Sequence, residues 1–317
     1  MNKIFKDYIY TDFKNMRPSG FLDAMNKANI KTIKRVNQLS GFKKVTNCDY
    51  CKKKKFRTIL IKNNMKLVQC INCDLIFSSL LPINIDDVYS KEEYLYQTLK
   101  SYEKNSNFRK KRFGKERMEI LSNFKKTGSL LDLGCGIGWF LDLAKKKYKV
   151  EGVETSDTIR EYIWKYKKIK SYKDINDTNK KYDIITGFDL IEHIQSPYLM
   201  MSQIKKKLKK NGILFLYTPN FESVGIKVLK QKSSLIAPPE HLYYFTPSTI
   251  KKYSQRLGFK ILNIWTKGMD VGDLYALYKT KKNSQNAKFL VNNQNWIQHS
   301  IDTAGLGNHM RILLKKI

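Results

Sequence analysis

Five cysteines, a glycine-rich turn and four histidines are the residues of this 317-residue chain best suited to chemistry. Cys48 and Cys51 form one Cys-x-x-Cys pair, and Cys70 and Cys73 form a second, with 18 residues between the pairs. Each pair turns tightly enough to aim two thiolates at one ion, and a separation of about 15–20 residues matches the zinc-ribbon spacing. Four thiolates close a tetrahedron and leave no open position, so a zinc held by Cys48, Cys51, Cys70 and Cys73 would be structural. Two disulfides, or reduced thiols that bind nothing, are the alternatives, and a reducing compartment weighs against disulfides. Phe56–Leu60 and Met65–Gln69 between the pairs read as a hairpin, with Asn63 and Asn64 at its turn.

The middle of the chain holds a nucleotide-type site. An apolar strand at 129–133 runs into Gly134-Cys135-Gly136-Ile137-Gly138, and a helix follows from Trp139 to about Lys147. Glycines after a strand let the chain turn sharply and let a ligand approach the main chain. The next strand, 149–153, ends in Glu154, placed 22 residues after Asp132, where a carboxylate can accept hydrogen bonds from both ribose hydroxyls. The dinucleotide fingerprint would need glycine at position 139, which is Trp139.

The histidines are His193, His241, His299 and His309. His193 follows Glu192 just beyond an apolar run at 182–187, and His241 follows another run at 212–217. Both fall on the side of a parallel sheet where ligands bind, so they are the first candidates for a general base. His299 and His309, in and just after a long C-terminal interruption, fit that role less well.

At these residues the chain resembles the class I S-adenosylmethionine-dependent methyltransferases. The stretch 131–138 resembles their motif I. Asp183 and its strand are similar to strand four, Asp189-Leu190-Ile191-Glu192-His193 to the segment after it, and 208–214 to the turn into strand five. Pro239-Glu240-His241 and the residues to Thr246 also match, and the resemblance spans roughly 105–317. The Cys-x-x-Cys pairs, followed by Pro82 and Tyr89, look like the zinc-ribbon extension of some bacterial members. The resemblance implies an α/β, Rossmann-like class I methyltransferase fold, with a mostly parallel seven-stranded sheet, helices on both faces and a small N-terminal zinc ribbon. It implies S-adenosyl-L-methionine as cofactor, bound by Asp132, Gly134, Cys135, Gly136, Gly138, Glu154, Thr155, Asp174, Asp189 and Leu190. Cys135 serves there as a small residue in a tight loop, not as a nucleophile. His241, His193 and Glu192 are the expected catalytic residues. In the similar ubiquinone-biosynthesis O-methyltransferases, acids and a histidine near these positions hold a divalent metal, and the match of the acids here is incomplete.

Around these residues the chain divides into an N-terminal helical, basic segment (1–44), the zinc ribbon (45–80), a linker and helical lid (81–125) and the methyltransferase domain (126–317) with an insertion at 266–308. Tyr94 and Tyr96 in the lid either close over the cofactor or pack. The last two apolar runs, 259–264 and 309–315, lie outside the strand–helix alternation and by resemblance pair as an antiparallel edge hairpin. Asp183 reads as a turn residue and not a ligand.

Composition limits the function. Lys plus Arg number 60 against 28 Asp plus Glu, for a net charge of +32. Such an excess suits nucleic acid or a membrane surface. Yet the lysines are spread throughout with many Asn and Ile, as AT-rich codons give, and the runs Lys52–Lys55 and Lys205–Lys207 read as solvated faces. No apolar run is long enough to span a bilayer, and the first twenty residues lack the apolar core of a signal peptide, so a cytoplasmic location is expected. The acceptor expected from the resemblance is a sugar of a surface polysaccharide or its nucleotide-sugar precursor, O-methylated. Quinone or secondary-metabolite O-methylation, sugar C-methylation and RNA methylation are alternatives, and a homodimer is left open. Nucleic acid is not favoured. An Asn/Asp-Pro-Pro-Tyr/Phe segment for base N-methylation is replaced by Gly187-Phe188-Asp189-Leu190, and no cysteine for C5 chemistry lies beyond Cys135. A non-catalytic cofactor-binding protein is disfavoured by the intact glycine turn and Glu154.

Overall fold

The computed structural model describes residues 20–89, 107, 109–279 and 284–317. Tyr94 and Tyr96 lie outside the described residues.

The N-terminal part begins with helix α1 (Phe21–Gln38) and continues through β1 (Phe42–Lys44), β2 (Phe56–Lys62), β3 (Met65–Cys70), β4 (Ile76–Ser78) and β5 (Leu80–Pro82). β2 and β3 form the hairpin, and Asn63 and Asn64 at its turn both have positive φ, 50° and 63°. Two consecutive left-handed residues give the turn whose twist suits a hairpin, and Asn tolerates that region.

The remainder runs α2 (Lys115–Phe124), β6 (Ser129–Leu133), α3 (Trp139–Ala144), β7 (Lys149–Val153), α4 (Asp157–Lys167), β8 (Ser171–Tyr172), β9 (Tyr182–Phe188), α5 (Pro197–Lys207), β10 (Leu208–Pro219), α6 (Val224–Leu229), β11 (Tyr243–Tyr244), α7 (Pro247–Arg256), β12 (Phe259–Thr266), α8 (Asp270–Lys279), α9 (Ser284–Asn292), α10 (Gln294–Thr303) and β13 (His309–Lys316). Seven strands form one sheet in the order β12-β13-β10-β9-β6-β7-β8. β10, β9, β6, β7 and β8 are mutually parallel, and β13 runs antiparallel to both β10 and β12. Alternate side chains sort to two faces, as strand geometry requires. Leu131, Ile185, Leu214 and Ile312 join one buried cluster with Met201, Ile204 and Tyr253 of α5 and α7. Leu130, Ile184, Phe215 and Leu313 join the other with Ile120, Phe140 and Ile163 of α2, α3 and α4. Helices therefore cover both faces.

The last two runs pair as the expected antiparallel hairpin at one edge of the sheet, with β12 outermost and β13, whose residues Met310–Leu314 are buried, between it and β10. Two local expectations change. The lysines at 205 and 207 do more than face solvent, because Lys205 Nζ donates to the Leu257 carbonyl and Lys207 Nζ to that of Thr178. Helix α3 ends at Ala144, sooner than expected. The stretch 266–308 carries α8, α9 and α10, tied down by buried acids. Asp270 accepts from the Gly225 and Asn308 amides, and Asp302 from that of Gly268.

The cysteine-bearing strands are fused to the large domain. β11, from the loop after β10, adds to them as the outer strand of the sheet β11-β4-β3-β2. Tyr50 stacks on Tyr253 of α7 with ring centroids 4.7 Å apart, and Lys252 Nζ donates to the Cys73 carbonyl and pairs with Asp74 at 2.7 Å. Cys48, Cys70, Cys73 and Phe77 belong to the same buried cluster as Leu131 and Leu214. Among the described residues no helix is long and apolar enough to cross a membrane.

Candidate functional site

The glycine turn leaves the end of β6 with Gly134, Gly136 and Gly138 at φ 63°, 52° and 71°. Left-handed backbone at three alternate positions is why glycine is needed there. A Cβ built on Gly136 would meet nothing within 4 Å, so this residue faces an open cleft, whereas one on Gly134 would come within 3.0 Å of Leu190. Glu154, at the end of β7, reaches over the turn: one carboxylate oxygen accepts the Gly136 N–H at 3.1 Å and the other the Ser156 N–H at 3.0 Å. Thr155 beside it is exposed. A carboxylate and an open glycine main chain at the carboxyl ends of parallel strands fit an adenosine-type cofactor.

Several expected cofactor residues serve this turn from behind. Asp132 is 3% exposed and accepts from Thr186 Oγ1 at 2.6 Å, and burial pushes its carboxyl up to about 7. The Cys135 side chain is buried against Gly152, burial pushes its thiol well up, and its N–H donates to the Val153 carbonyl. It is a packing residue, as a structural cysteine should be. Asp174 is turned to its own backbone, capping the short helix 175–177 in a reciprocal box with Asp177. Asp183 accepts from the Ser129 amide and hydroxyl and pairs with Lys209, at the far end of the strands from the cleft.

Asp189 stands at the end of β9 with φ 55°. Desolvation in the cleft pushes its carboxyl up, but His309 and Arg117 more than offset this and hold it below its ordinary value. Beyond it lies a trio. The Glu192, His193 and His241 ligand atoms lie within 4.8 Å of one another, and the two imidazole centroids are 4.8 Å apart with the rings nearly perpendicular. His241 Nδ1 lies 2.8 Å from the Leu235 carbonyl, and His193 Nδ1 is 2.9 Å from that of Glu240. A carbonyl only accepts, so each Nδ1 carries the proton and each Nε2 keeps its lone pair. Burial pushes His241 down to about 3 and lowers His193 as well. Glu192 is 1% exposed, accepts from Thr218 Oγ1 at 2.9 Å, and is pushed well up by burial. Burial thus favours the neutral form of both imidazoles and of the acid beside them, an arrangement able to take a proton or, with the acid ionised, to hold a divalent cation.

Three further neighbours join the site: His309, ranked low as a base from sequence, Tyr89, noted only beside the cysteine pairs, and Arg117, which the sequence did not single out. His309 sits 3.8 Å from Asp189, brought there because β13 pairs with β10 so that His309 lies opposite Pro219. Tyr89 places its hydroxyl 2.9 Å from His193 Nδ1. Arg117 of α2 is buried, with its guanidinium 3.7 Å from the Phe188 ring centre and 4.9 Å from that of Trp139, and its Nε has no hydrogen-bond partner. Their meeting here is not written in local spacing, since each arrives by tertiary packing.

The four cysteines form the second site. Cys48 Sγ is 3.5 Å from Cys73 Sγ, Cys51 Sγ is 3.4 Å from Cys70 Sγ, and all four lie within 4.8 Å of one another. These separations are well beyond the roughly 2.05 Å of a disulfide. A hydrogen bond from Cys73 pulls the Cys48 thiol down to about 6. The donor set fits one tetrahedral, thiolate-loving cation.

A family model described as a methyltransferase domain matches residues 106–264, half of the chain. The chain belongs to the methyltransferase-domain family. Among curated proteins, the ubiquinone biosynthesis O-methyltransferase of Pelagibacter ubique is 29% identical over 131 residues, covering 38% of this chain and 52% of that protein. The (S)-coclaurine N-methyltransferase of Papaver somniferum is 32% identical over 107 residues, covering 30% of each. The chain thus spans about half or less of the length of these two relatives. Among solved structures, phosphoethanolamine N-methyltransferase 2 of Haemonchus contortus, in complex with S-adenosyl-L-methionine, aligns with a TM-score of 0.50 at 20% identity, covering 76% of this chain and 62% of that one. The magnesium protoporphyrin IX methyltransferase of Synechocystis PCC 6803, with bound SAH, also reaches 0.50, at 14% identity, covering 72% of this chain and 97% of that one. The methyltransferase domain thus has the class I, Rossmann-like fold, with its glycine turn and trio at the carboxyl ends of the parallel strands.

Proposed function

We propose that the protein transfers a methyl group from S-adenosyl-L-methionine to a hydroxyl of a sugar, in a surface polysaccharide or its nucleotide-sugar precursor. The observation that carries this reading is the trio of Glu192, His193 and His241 at the same strand ends as the glycine turn and Glu154. The cofactor supplies an already activated methyl on a sulfonium. The chain's share is alignment and one proton: a neutral hydroxyl must lose its proton near the transition state, and His241 Nε2 is a lone pair available to take it. Glu154 accepts from the ribose hydroxyls, the glycine main chain of the turn lets the cofactor approach closely, and Arg117 offers a buried cation for its carboxylate. Asp189 favours the imidazolium that forms. The choice of a sugar rests on the resemblance of the cysteine module to that of bacterial members, and the relative named for ubiquinone biosynthesis keeps a phenolic hydroxyl as the next class. Labelled methyl donor offered with cell glycans, nucleotide sugars, quinone precursors and RNA in parallel should place label in an O-methyl sugar, located by mass spectrometry. Label confined to quinone precursors or RNA would overturn the sugar assignment.

We further propose one structural zinc per chain on Cys48, Cys51, Cys70 and Cys73. Protein purified under reducing conditions should contain zinc near one equivalent, and chelation should open the N-terminal strands before the large sheet. Metal analysis that finds no zinc would remove this assignment.

A further inference from the structure

We propose that the four-cysteine module is a positioning element of the acceptor side, holding His241 and His193 where a ring nitrogen of each lies within 4.8 Å of the other and of Glu192. This deepens the reading above and rests on His241 as the proton acceptor.

Two threads connect the module to the histidines. The first is a sheet. From the Cys70–Cys73 knuckle the chain passes directly into β4, and the Cys70 amide donates to the Leu75 carbonyl. β4 pairs with β11, Phe77 opposite Tyr243 and Ile76 opposite Tyr244. The Ser78 amide donates at 2.8 Å to the carbonyl of Leu242, the residue next to His241. On its other side the Leu242 amide donates at 2.8 Å to the Glu192 carbonyl. The backbone leaving His241 is therefore gripped between the module and the Glu192–His193 turn. A ladder of this kind fixes register, and a slip of one residue would turn side chains to the wrong face.

The second thread reaches the other histidine. The Tyr89 hydroxyl lies 2.9 Å from His193 Nδ1, and the Gln195 side chain donates at 2.7 Å to the Pro82 carbonyl. Asp49, between Cys48 and Cys51, accepts from the Ser196 hydroxyl at 2.7 Å and the Tyr198 amide at 2.8 Å, capping the first turn of α5 just after His193. A carboxylate there satisfies orphan N–H groups and complements the helix dipole. The cofactor side is built differently. The glycine turn and Glu154 follow β6 and β7, whose partners are β9 and β8, strands of the large sheet. Loosening the module should then damage acceptor chemistry and spare cofactor binding.

The test follows zinc removal from the full-length protein by hydrogen–deuterium exchange, calorimetry and turnover. Chelation should speed exchange in the segment 241–246 and lower kcat by about 100-fold or more, the scale of a displaced general base. The Kd for S-adenosyl-L-methionine should stay within about twofold, and zinc re-addition should restore both losses. Unchanged exchange in 241–246, or cofactor affinity lost in step with turnover, overturns the proposal. Tyr89→Phe supplies an arm that needs no metal. Loss of one hydrogen bond to His193 should lower kcat by about 2- to 10-fold with cofactor Kd unchanged, and an unaltered kcat counts against the second thread. If His241→Ala leaves turnover intact, the underlying reading fails, while the exchange measurement still reports whether the module holds the segment.

Discussion

His241→Ala is expected to lower kcat by about 100- to 10,000-fold, the range for removing a general base, and to leave S-adenosyl-L-methionine affinity almost unchanged. The proposed cofactor contacts lie on the turn after β6 and at the end of β7, whereas His241 enters from the loop after β10. A ring that only shapes the acceptor pocket would instead raise acceptor KM more than it lowers kcat, and that outcome would remove the proton from His241. The pH dependence sharpens the test. An imidazole in water titrates near about 6.5, but burial pushes His241 down to about 3. The folded ring stays neutral through the working range, so kcat/KM should show no ascending limb near pH 6.5 from this residue. The same shift acts on stability. The unfolded chain takes up this proton more readily than the folded one, so the contribution is full above about pH 6.5 and is lost as the pH falls toward 3. Acid unfolding should therefore be less steep in His241→Ala. A limb near 6.5 that disappears in the variant would keep the base but show a solvated ring.

Glu154→Ala should weaken S-adenosyl-L-methionine binding by about 1.5–3 kcal/mol, roughly 10- to 150-fold, the scale of hydrogen bonds to a charged group. The carboxylate holds the Gly136 and Ser156 amides, so its loss also loosens the turn that the cofactor meets. Glu154→Gln keeps the length of the side chain and one good acceptor, and its affinity should fall between the two. Calorimetry showing unchanged affinity in Glu154→Ala would place the ribose elsewhere. Turnover at saturating cofactor should recover much of its value, which separates this variant from His241→Ala.

Much of the architecture was legible because it is written in local pattern. Apolar runs of strand length at 129–133, 149–153, 182–187, 212–217, 259–264 and 309–315 each fall in a strand, and in β6, β9, β13 and the second half of β10 burial on both faces calls for mostly apolar residues. Gly134, Gly136 and Gly138 announced a left-handed turn because few other residues tolerate one. The paired Cys-x-x-Cys spacing placed four thiolates together, as ligand geometry leaves little choice. Other features depend on which distant elements pack together, and local spacing carries no record of that. The register of β13 against β10 brings His309 to Asp189 across 120 residues, and β11 joins β4 across more than 160. Burial, a property of the packed chain alone, sends Asp132 and Cys135 behind the turn, lowers both imidazoles, pushes Glu192 well up and leaves Arg117 among aromatic rings. The sequence by itself determined which residues are candidates to bind and react; packing decided which of them meet, and which way burial shifts each one's hold on its proton.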